Sequence, residues 1–384
     1  MRRLTAVLAL LVAAPALASN GMRAVGFGPV QVSMGGVGVG ASLDAGTILS
    51  NPAGMSALGP RADLGVGMAG ASVEQWTDYT GVGGSAFADS SDRGPAPFPA
   101  FGLVVPLGED WRLGFGGYQV ASLGADYLYG LGAAPSHASY RQTRFAPAVS
   151  WRVLDGLSLG AALNLMYATL DAGLFYGSQF SLGGSAFGMG ATLSARFSPL
   201  SALDLALAVE TKGLFQDFRF DTVDAGGTPV RRTATLNQPI VATLGAGFRP
   251  VEPLLVAADL EWIGWSGVLG PASSLRLGWQ DQVVVKLGAE LALEPVRLRA
   301  GLSYGKSPLD PNLAFNMMFP AVAEAHLGLG VGVPLGPAIA LELGALWSPT
   351  ATVQGTDATS FGGAVPYRVS GWSYDLQVGV TIAY

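Results

Sequence analysis

Residues able to carry acid–base or nucleophilic chemistry are few and scattered in this chain. There are two histidines, His137 and His326, and no cysteine. His137 falls in a loop-like segment, and His326 follows Glu324 by two positions, on one face of an extended segment. Neither has a G-x-S-x-G motif, a paired carboxylate or a metal-ligand spacing around it. The sequence therefore predicts no catalytic residue, no metal site, no cofactor and no enzyme.

Basic side chains in an apolar interior are a second kind of candidate, because they could bind the carboxylate of a substrate. The candidates on a polar strand face or near a turn are Lys286, Arg297, Arg299 and Arg249. Their possible structural partners are Glu290, Asp259 and Glu261. An unpaired buried charge is costly, so each base either pairs within the protein or waits for an acidic ligand. Pairing is the favoured interpretation, and head-group binding stays open.

A third candidate is the turn Asn51-Pro52-Ala53-Gly54, near the N-terminus. Pro52 lacks an amide donor and biases Asn51 towards an extended or turn conformation. The Asn51 side chain can also bond to nearby backbone groups. We therefore expect a rigid turn. Residue chemistry alone favours an ordinary loop here, and the case for a functional element depends on the rest of the chain.

Composition and the N-terminus indicate where the protein is located. Of 384 residues, 12% are charged and 55 are glycine, whereas soluble domains average about 25% charged residues. Arg2 and Arg3, the apolar stretch 4–14 and Ala16-Leu17-Ala18 predict a secretory signal peptide over residues 1–18. The formal charge of −6 gives no basic footprint for nucleic acid. An exported chain of this composition, with no unbroken apolar helix, points to a membrane barrel.

Alternation with a period of two residues runs through the chain from about residue 62. In the last segment, Trp372, Leu376 and Tyr384 share one face with other apolar residues, while Asp375 and Gln377 lie on the other. In the other alternating segments the charges also share the face opposite the aliphatic residues. A charge facing lipid would cost about 2–4 kcal/mol near the bilayer midplane. The pattern therefore predicts a transmembrane antiparallel β-barrel over residues 61–384.

About fourteen such segments can be counted, and their connections alternate between short turns and long loops. The predicted strands are 62–72, 98–105, 111–120, 140–153, 157–170, 185–197, 203–215, 239–250, 254–263, 282–293, 296–306, 323–334, 339–350 and 367–384. The predicted long loops are 73–97, 121–139, 171–184, 216–238, 264–281, 307–322 and 351–366. A soluble Gly-rich β-sandwich or solenoid explains the glycine but neither this alternation nor the sorting of charges.

Residues 19–60 are too few for a separate domain, and inward positions of the barrel are mainly small. A water-filled porin would need a more polar lumen. We therefore expect residues 19–60 to fold inside the barrel as a plug.

The sequence resembles the FadL/OmpP1/TodX family of outer-membrane transporters of long-chain fatty acids and other hydrophobic compounds. The resemblance rests on Asn20-Gly21-Met22, on Met34-Gly35-Gly36-Val37, and on Asp44 to Ile48 leading to Asn51-Pro52-Ala53-Gly54-Met55. Weaker matches follow in order: Asn237-Gln238-Pro239, Asp259 to Ser266, and Arg299 to Tyr304 before Ser307-Pro308.

The resemblance implies a fourteen-stranded barrel with an N-terminal hatch, a bound apolar substrate, and lateral release through a kinked third strand. It places Asn51, Pro52, Ala53 and Gly54 in the hatch as the gate. It places the kink in 111–120, where Gly114, Gly116 and Gly117 either bend the strand or permit close packing.

Because loop 171–184 is short, loops 73–97 and 216–238 are expected to supply the outer capture site. A monomer in the outer membrane of a Gram-negative bacterium is expected. The alternative function is a barrel that serves as a scaffold for secretion or assembly of other proteins, without substrate flux.

Overall fold

The computed structural model describes residues 19–131, 135–175, 179–223, 228–273 and 275–384. The predicted signal peptide, residues 1–18, lies outside these described residues. Within them, fourteen strands form a closed antiparallel barrel. The strands are β1 Arg61–Asp78, β2 Ala96–Leu107, β3 Trp111–Tyr127, β4 Ser136–Leu154, β5 Leu157–Phe175, β6 Gln179–Leu200, β7 Leu203–Glu210, β8 Val241–Val251, β9 Leu254–Ile263, β10 Gln282–Leu293, β11 Val296–Tyr304, β12 Ala325–Pro334, β13 Ile339–Asp357 and β14 Val365–Ala383.

The barrel closes because its last strand pairs with its first. The β14–β1 ladder runs from Tyr367 opposite Thr77 to Ala383 opposite Arg61. Every other strand pairs with its neighbours in the chain, so the fold is an up-and-down meander. A closed sheet leaves no edge exposed to lipid, which is what a membrane-spanning sheet requires. No helix in the described part of the chain is long and apolar enough to span a membrane.

The two faces of the wall differ as the alternation predicted. On β14, Trp372, Leu376 and Val378 are 42–47% exposed on the outside, whereas Asp375 and Gln377 are 4% exposed on the inside. Apolar side chains cover the outer face of the other strands in the same way. The predicted barrel is therefore confirmed, with its apolar band facing outwards.

Several strands are longer than predicted. The predicted loop 171–184 is largely strand, because β5 continues to Phe175 and β6 begins at Gln179. The predicted loop 351–366 shrinks similarly between Asp357 and Val365. Loop 73–97 contains the end of β1 and a short strand, Ala86–Ser90, paired with it. Beyond the lipid, antiparallel strands still satisfy each other's backbone groups, while the apolar outer face that marks a strand in the sequence is no longer needed.

Residues 19–60 lie inside the barrel. They form short strands at Ser19–Asn20 and Arg23–Ala24, helix α1 at Pro29–Ser33, helix α2 at Thr47–Ser50 and a 3₁₀ helix at Pro52–Ala57. We call residues 19–60 the N-terminal segment. It packs on inward glycines of the wall: a Cβ added at Gly301 would lie 2.0 Å from the Met34 carbonyl carbon. Wall glycines therefore let the segment backbone approach closely enough to fill the lumen.

The remaining connections are local. A hairpin of Phe218–Val223 and Pro229–Ala234 follows β7, and Leu214–Phe215 pairs with β6. Helix α3, Ser266–Leu269, and a 3₁₀ turn at Ala314–Met318 lie in the connections after β9 and β11. A further 3₁₀ turn spans Thr80–Val82. These elements stand at the end of the barrel opposite Arg61 and Ala383, where the barrel strands begin and end.

Candidate functional site

The turn at Asn51 sits deep in the lumen and is bonded to other parts of the N-terminal segment. Asn51 is fully buried, and its Nδ2 donates to the Val39 carbonyl at 3.1 Å. Its own carbonyl accepts from the Gly54 amide at 2.8 Å. Pro52 begins the 3₁₀ helix, where its missing amide leaves no donor unsatisfied. The four residues therefore form a compact turn inside the barrel. Their role as a gate stays a prediction.

Ala53 is held by two serines of the wall. Its amide donates to Ser194 Oγ on β6 at 2.8 Å, and its carbonyl accepts from Ser150 Oγ on β4 at 3.1 Å. Between them, on β5, a Cβ at Gly160 would lie 2.0 Å from the Ala53 nitrogen. The absence of a side chain at Gly160 therefore lets the turn lie flat against three strands. No sequence signal marks these serines, because they are two of many small inward residues.

On another side of the lumen, a single carboxylate binds three successive amides. Asp259 on β9 accepts from the amides of Gly38, Val39 and Gly40, at 2.9, 3.0 and 2.7 Å. Asp259 is 3% exposed. Hydrogen bonds to an ionised acceptor are short and roughly twice as strong as neutral ones. The sequence had suggested Asp259 only as a partner for a basic residue.

The pairing of β3 with β2 is interrupted, but in residues that follow the three glycines proposed for the kink. The β2–β3 ladder is continuous from Leu107 opposite Trp111 to Ala100 opposite Tyr118, so it includes Gly114, Gly116 and Gly117. Gly114 packs on Met55, and Gly117 lies against the Phe101 ring. The three glycines therefore lie within a paired stretch, and a bend of β3 at these positions stays a prediction. They make room for neighbouring side chains, which was the alternative interpretation.

The interruption begins after Tyr118. Among the described residues, 119–125 of β3 have no pairing with β2, and 96–99 of β2 pair with β1 only. The β3–β4 register shifts between Gln119 and Ala121, which indicates a bulge. We call residues 96–99 and 119–125 the seam. Its β3 side is buried on both faces, and Arg23 of the N-terminal segment pairs with Ala121 there.

The half of the lumen farther from Arg61 and Ala383 is filled by apolar side chains that continue to the seam. Ala121, Leu123 and Ala125 of the seam belong to this cluster. Its large members include Met22 of the N-terminal segment, Tyr127 at the end of β3, and four residues of the connections, Trp265, Trp279, Met317 and Met318. Residues 264–273, 275–281 and 305–324 cover the mouth: Trp279 Nε1 donates to Asn316 Oδ1 at 3.1 Å, and the Tyr127 hydroxyl donates to the Met317 carbonyl at 3.2 Å. These two connections supply more of the mouth than the sequence suggested.

Of the four basic residues proposed from the sequence, two lie in the lumen and two lie at one end of the barrel. Lys286 bonds to Glu261 at 3.1 Å, and Arg299 bonds to Glu290 at 2.6 Å and to Glu342 at 2.5 Å, all in the lumen. Arg249 lies near the end of β8, 3.6 Å from Asp204, and Arg297, near the start of β11, is exposed at the same end of the barrel. Lys286 and Arg299 are thus paired within the protein, and the structure does not bring the four bases together.

A different basic cluster lies beside the seam. Glu210 on β7 accepts from Arg23 at 2.7 and 3.2 Å and from Arg144 on β4 at 2.8 Å. All three side chains are buried. Within the described residues, Arg144 Nε and Nη1 and Arg23 Nε have no hydrogen-bond partner. A signal existed in the sequence: Arg23 is a rare charge in the N-terminal segment, and Arg144 lies on the inward face of a strand.

The two histidines are not arranged for catalysis. His326 Nδ1 lies 2.6 Å from Ser348 Oγ, and both residues are fully buried in the wall. His137 Nε2 lies 3.6 Å from an exposed Asp171 carboxylate. No group of three metal-ligating side chains occurs among the residues that the structure describes.

The comparisons with known proteins agree with this architecture. Residues 5–206, more than half of the chain, match the family described as outer membrane protein transport protein (OMPP1/FadL/TodX). The chain belongs to this family. It is accordingly an outer-membrane transport protein of a Gram-negative bacterium, from a family of passive channels rather than enzymes. No curated protein sequence matches the chain.

Solved structures of this OMPP1/FadL/TodX family share the fold. The chain is similar to the Pseudomonas putida toluene transporter TodX, with 18% identity, a TM-score of 0.75 and coverage of 94% of this chain and 99% of that one. A Pseudomonas aeruginosa FadL homologue is 15% identical, with a TM-score of 0.78 and the same coverages. The Ralstonia pickettii toluene transporter TbuX is 17% identical, with a TM-score of 0.70, covering 94% of this chain and 98% of that one. Identities this low support the fold alone.

Proposed function

We propose that this family member is a monomeric, passive uptake channel for hydrophobic compounds, which enter at the extracellular mouth and leave sideways through the seam into the outer membrane. The observation that carries the proposal is the continuity of the apolar cluster with the seam. Ala121, Leu123 and Ala125 belong to both. An apolar molecule displacing the cluster would thus reach a stretch of the wall where β2 and β3 are not bonded to each other.

Lateral exit is also favoured energetically. Moving an acyl chain into water costs about 0.8 kcal/mol per methylene. A chain with ten methylenes would thus meet a barrier of about 8 kcal/mol on a route through the periplasm. Passage between β2 and β3 keeps the chain in apolar surroundings throughout. The N-terminal segment blocks the alternative route along the lumen, which is why we propose that it acts as the hatch.

Long-chain fatty acids are the first substrate class we propose. Arg23 and Arg144 lie where the apolar cluster meets the seam, and those of their N–H groups that have no partner among the described residues could bind a carboxylate. Monoaromatic hydrocarbons are the second class. TodX and TbuX are named toluene transporters, and the cluster here is rich in aromatic and Met side chains.

The test is uptake of a labelled long-chain fatty acid and of labelled toluene by cells that lack their own transporter and express this chain. Uptake of the acid alone supports the first class, uptake of toluene alone supports the second, and uptake of neither by an inserted barrel refutes transport. In that case the protein-assembly scaffold becomes the hypothesis to test.

A cross-link decides the exit route, because the chain has no cysteine of its own. The pair Pro99→Cys and Gln119→Cys, joined by a bifunctional maleimide, would close the seam. The control pair Leu103→Cys and Phe115→Cys joins residues that already face each other in the β2–β3 ladder. We expect the seam cross-link to abolish uptake and the control to leave it intact. Unchanged uptake with a closed seam would refute lateral release.

A further inference from the structure

A row of polar side chains lies on the inward face of four neighbouring strands, β11 to β14. Ser303 on β11 lies opposite His326 on β12. His326 Nδ1 lies 2.6 Å from Ser348 Oγ on β13, and Ser348 lies opposite Ser373 on β14. Asp375 follows Ser373 by two positions and therefore shares its face. We call these five residues the polar row, and each of them is at most 6% exposed.

Four polar atoms of the row have no hydrogen-bond partner among the described residues. They are Ser303 Oγ, His326 Nε2, Ser373 Oγ and Asp375 Oδ1. The second carboxyl oxygen of Asp375 is satisfied, because Gln377 Nε2 donates to it at 3.0 Å. Native proteins leave few buried polar groups unpaired, since each one is costly. Four such atoms in one row therefore indicate a place that receives a polar group from outside the chain.

The row lies between two apolar clusters of the lumen. On the side of the mouth is the large cluster described above, to which Val369 on β14 belongs. On the other side, Val32 of the N-terminal segment packs with Leu346 on β13. Where the row meets the first cluster, a cavity of about 20 Å³ touches Ser373 and residues 320–323. This volume admits a group the size of one water molecule. A guest can thus place a small polar end at the row and an apolar body among the side chains of the cluster.

A hydroxyl group suits the unpartnered atoms better than a carboxylate does. Whichever ring nitrogen of His326 carries the proton, a hydroxyl can donate to Nε2 or accept from it. An acidic head would instead face the Asp375 carboxyl, and two carboxylates repel each other when both are ionised. The base next to the row, Lys286, lies opposite Ser303 and is already bonded to Glu261. The row therefore favours a neutral head group that both donates and accepts.

We propose that the polar row is a binding site for the hydroxyl group of an otherwise apolar molecule, such as a long-chain alcohol. The hydroxyl bridges His326 Nε2 and Ser303 Oγ, because the Cβ atoms of directly opposed residues are only about 4.5–5.5 Å apart. The apolar tail lies in the cluster on the side of the mouth. Ser373 and Asp375 offer a second hydroxyl position at the other end of the row. The inference rests on the proposed uptake function, to which it adds a neutral, hydroxylated substrate class.

The two histidines make the site directly observable. The full barrel, labelled with ¹⁵N at histidine alone and placed in phosphatidylcholine nanodiscs, gives signals from His326 and from the partly exposed His137. We expect dodecanol to shift the His326 Nε2 resonance saturably and to leave His137 unchanged as an internal control. Dodecane should shift neither resonance, and dodecanoate should bind more weakly than dodecanol.

A serine variant tests the second partner of the hydroxyl. Ser303→Ala should weaken dodecanol binding about fivefold, the effect of losing one hydrogen bond. Ser158→Ala is the matched control, because Ser158 is a buried serine on β5, away from the row. It should bind dodecanol as tightly as the parent does. An unchanged His326 resonance, an equal shift with dodecane, tighter binding of dodecanoate, or equal affinities of the two serine variants would overturn the proposal.

Uptake by cells separates this inference from the proposed function. If the parent binds dodecanol at His326 but takes up no substrate, the proposed function fails and the site stands. If the parent takes up fatty acid or toluene while dodecanol leaves the His326 resonance unchanged, the site is refuted and transport stands.

Discussion

Replacing Glu210 by glutamine should destabilise the barrel more than any comparable change at its periplasmic rim. Glu210 is the only carboxylate bonded to Arg23 and Arg144 in the described structure, and both guanidinium groups are buried. A glutamine could accept from one arginine, but its amide group would face the other. One buried cation would then lose its partner.

The expected magnitude follows from the burial of the cluster. Breaking a buried pair by removing one partner costs about 3–5 kcal/mol, since the remaining charge stays out of water. We therefore expect Glu210→Gln to lower the free energy of unfolding by about 3–5 kcal/mol. The measurement is equilibrium urea unfolding in lipid vesicles, followed by the fluorescence of the eight tryptophans.

Asp204→Asn serves as the comparison, because its partners Arg196 and Arg249 are partly exposed, with side-chain exposures of 19% and 44%. Exposed pairs contribute about 0–1 kcal/mol. A Glu210→Gln effect as small as that of Asp204→Asn would refute the reasoning, since water would then be reaching the cluster. Restoration of stability by Arg23→Met, Arg144→Met and Glu210→Leu together would support it, because a well-packed apolar trio can replace a buried ionic one.

Two further predictions concern the N-terminal segment. Burial, and then the nearby Asp63, raise the pKa of Asp44 from 3.8 to about 7. Packing of the segment should therefore be strongest below pH 3.8 and should weaken as the pH rises through 7, so that amide hydrogen exchange of residues 38–50 becomes faster. Asp44→Asn should remove this pH dependence. A pH-independent exchange rate in the parent would contradict the prediction. Gly160→Ala should displace the turn at Ala53 and lower the free energy of unfolding by about 1–3 kcal/mol through overpacking, which urea unfolding measures. Gly59→Ala should lower it far less, because the added Cβ has no atom within 4 Å. Equal effects would show that the turn does not lie against β5 as described.

The barrel could be predicted from sequence because its determinants are local and repeated. Each strand must present apolar residues to lipid at every second position, so Trp372, Leu376 and Val378 on β14 reveal both the strand and its orientation. The strand ends could not be predicted equally well. Above the membrane the ladder needs only backbone groups, and β5 and β6 therefore extend through a stretch whose side chains suggested a loop.

The contacts of the N-terminal segment depend instead on distant parts of the chain. Asp259 and Val39 are 220 positions apart, and Ala53 and Ser194 are 141 apart. A serine or an aspartate on an inward face has the same local pattern whether it binds the segment, an arginine or nothing. Only Asn51-Pro52-Ala53-Gly54 was distinctive, because proline and asparagine restrict the backbone locally. Sequence could therefore locate the turn but not its anchors.

The seam lies beyond the three glycines of β3 that the sequence singled out. Glycine permits a bend, yet Gly114 and Gly117 lie within an intact ladder, where the missing side chains admit Met55 and Phe101. The break is instead accompanied by Pro97 and Pro99 on the neighbouring strand β2, which pair with β1 only. A proline cannot donate to a ladder, so a strand in the middle of a sheet tolerates it only where one of its edges is unpaired. In a closed barrel, alternate prolines on one strand therefore predict an opening next to that strand more directly than glycines on its neighbour do.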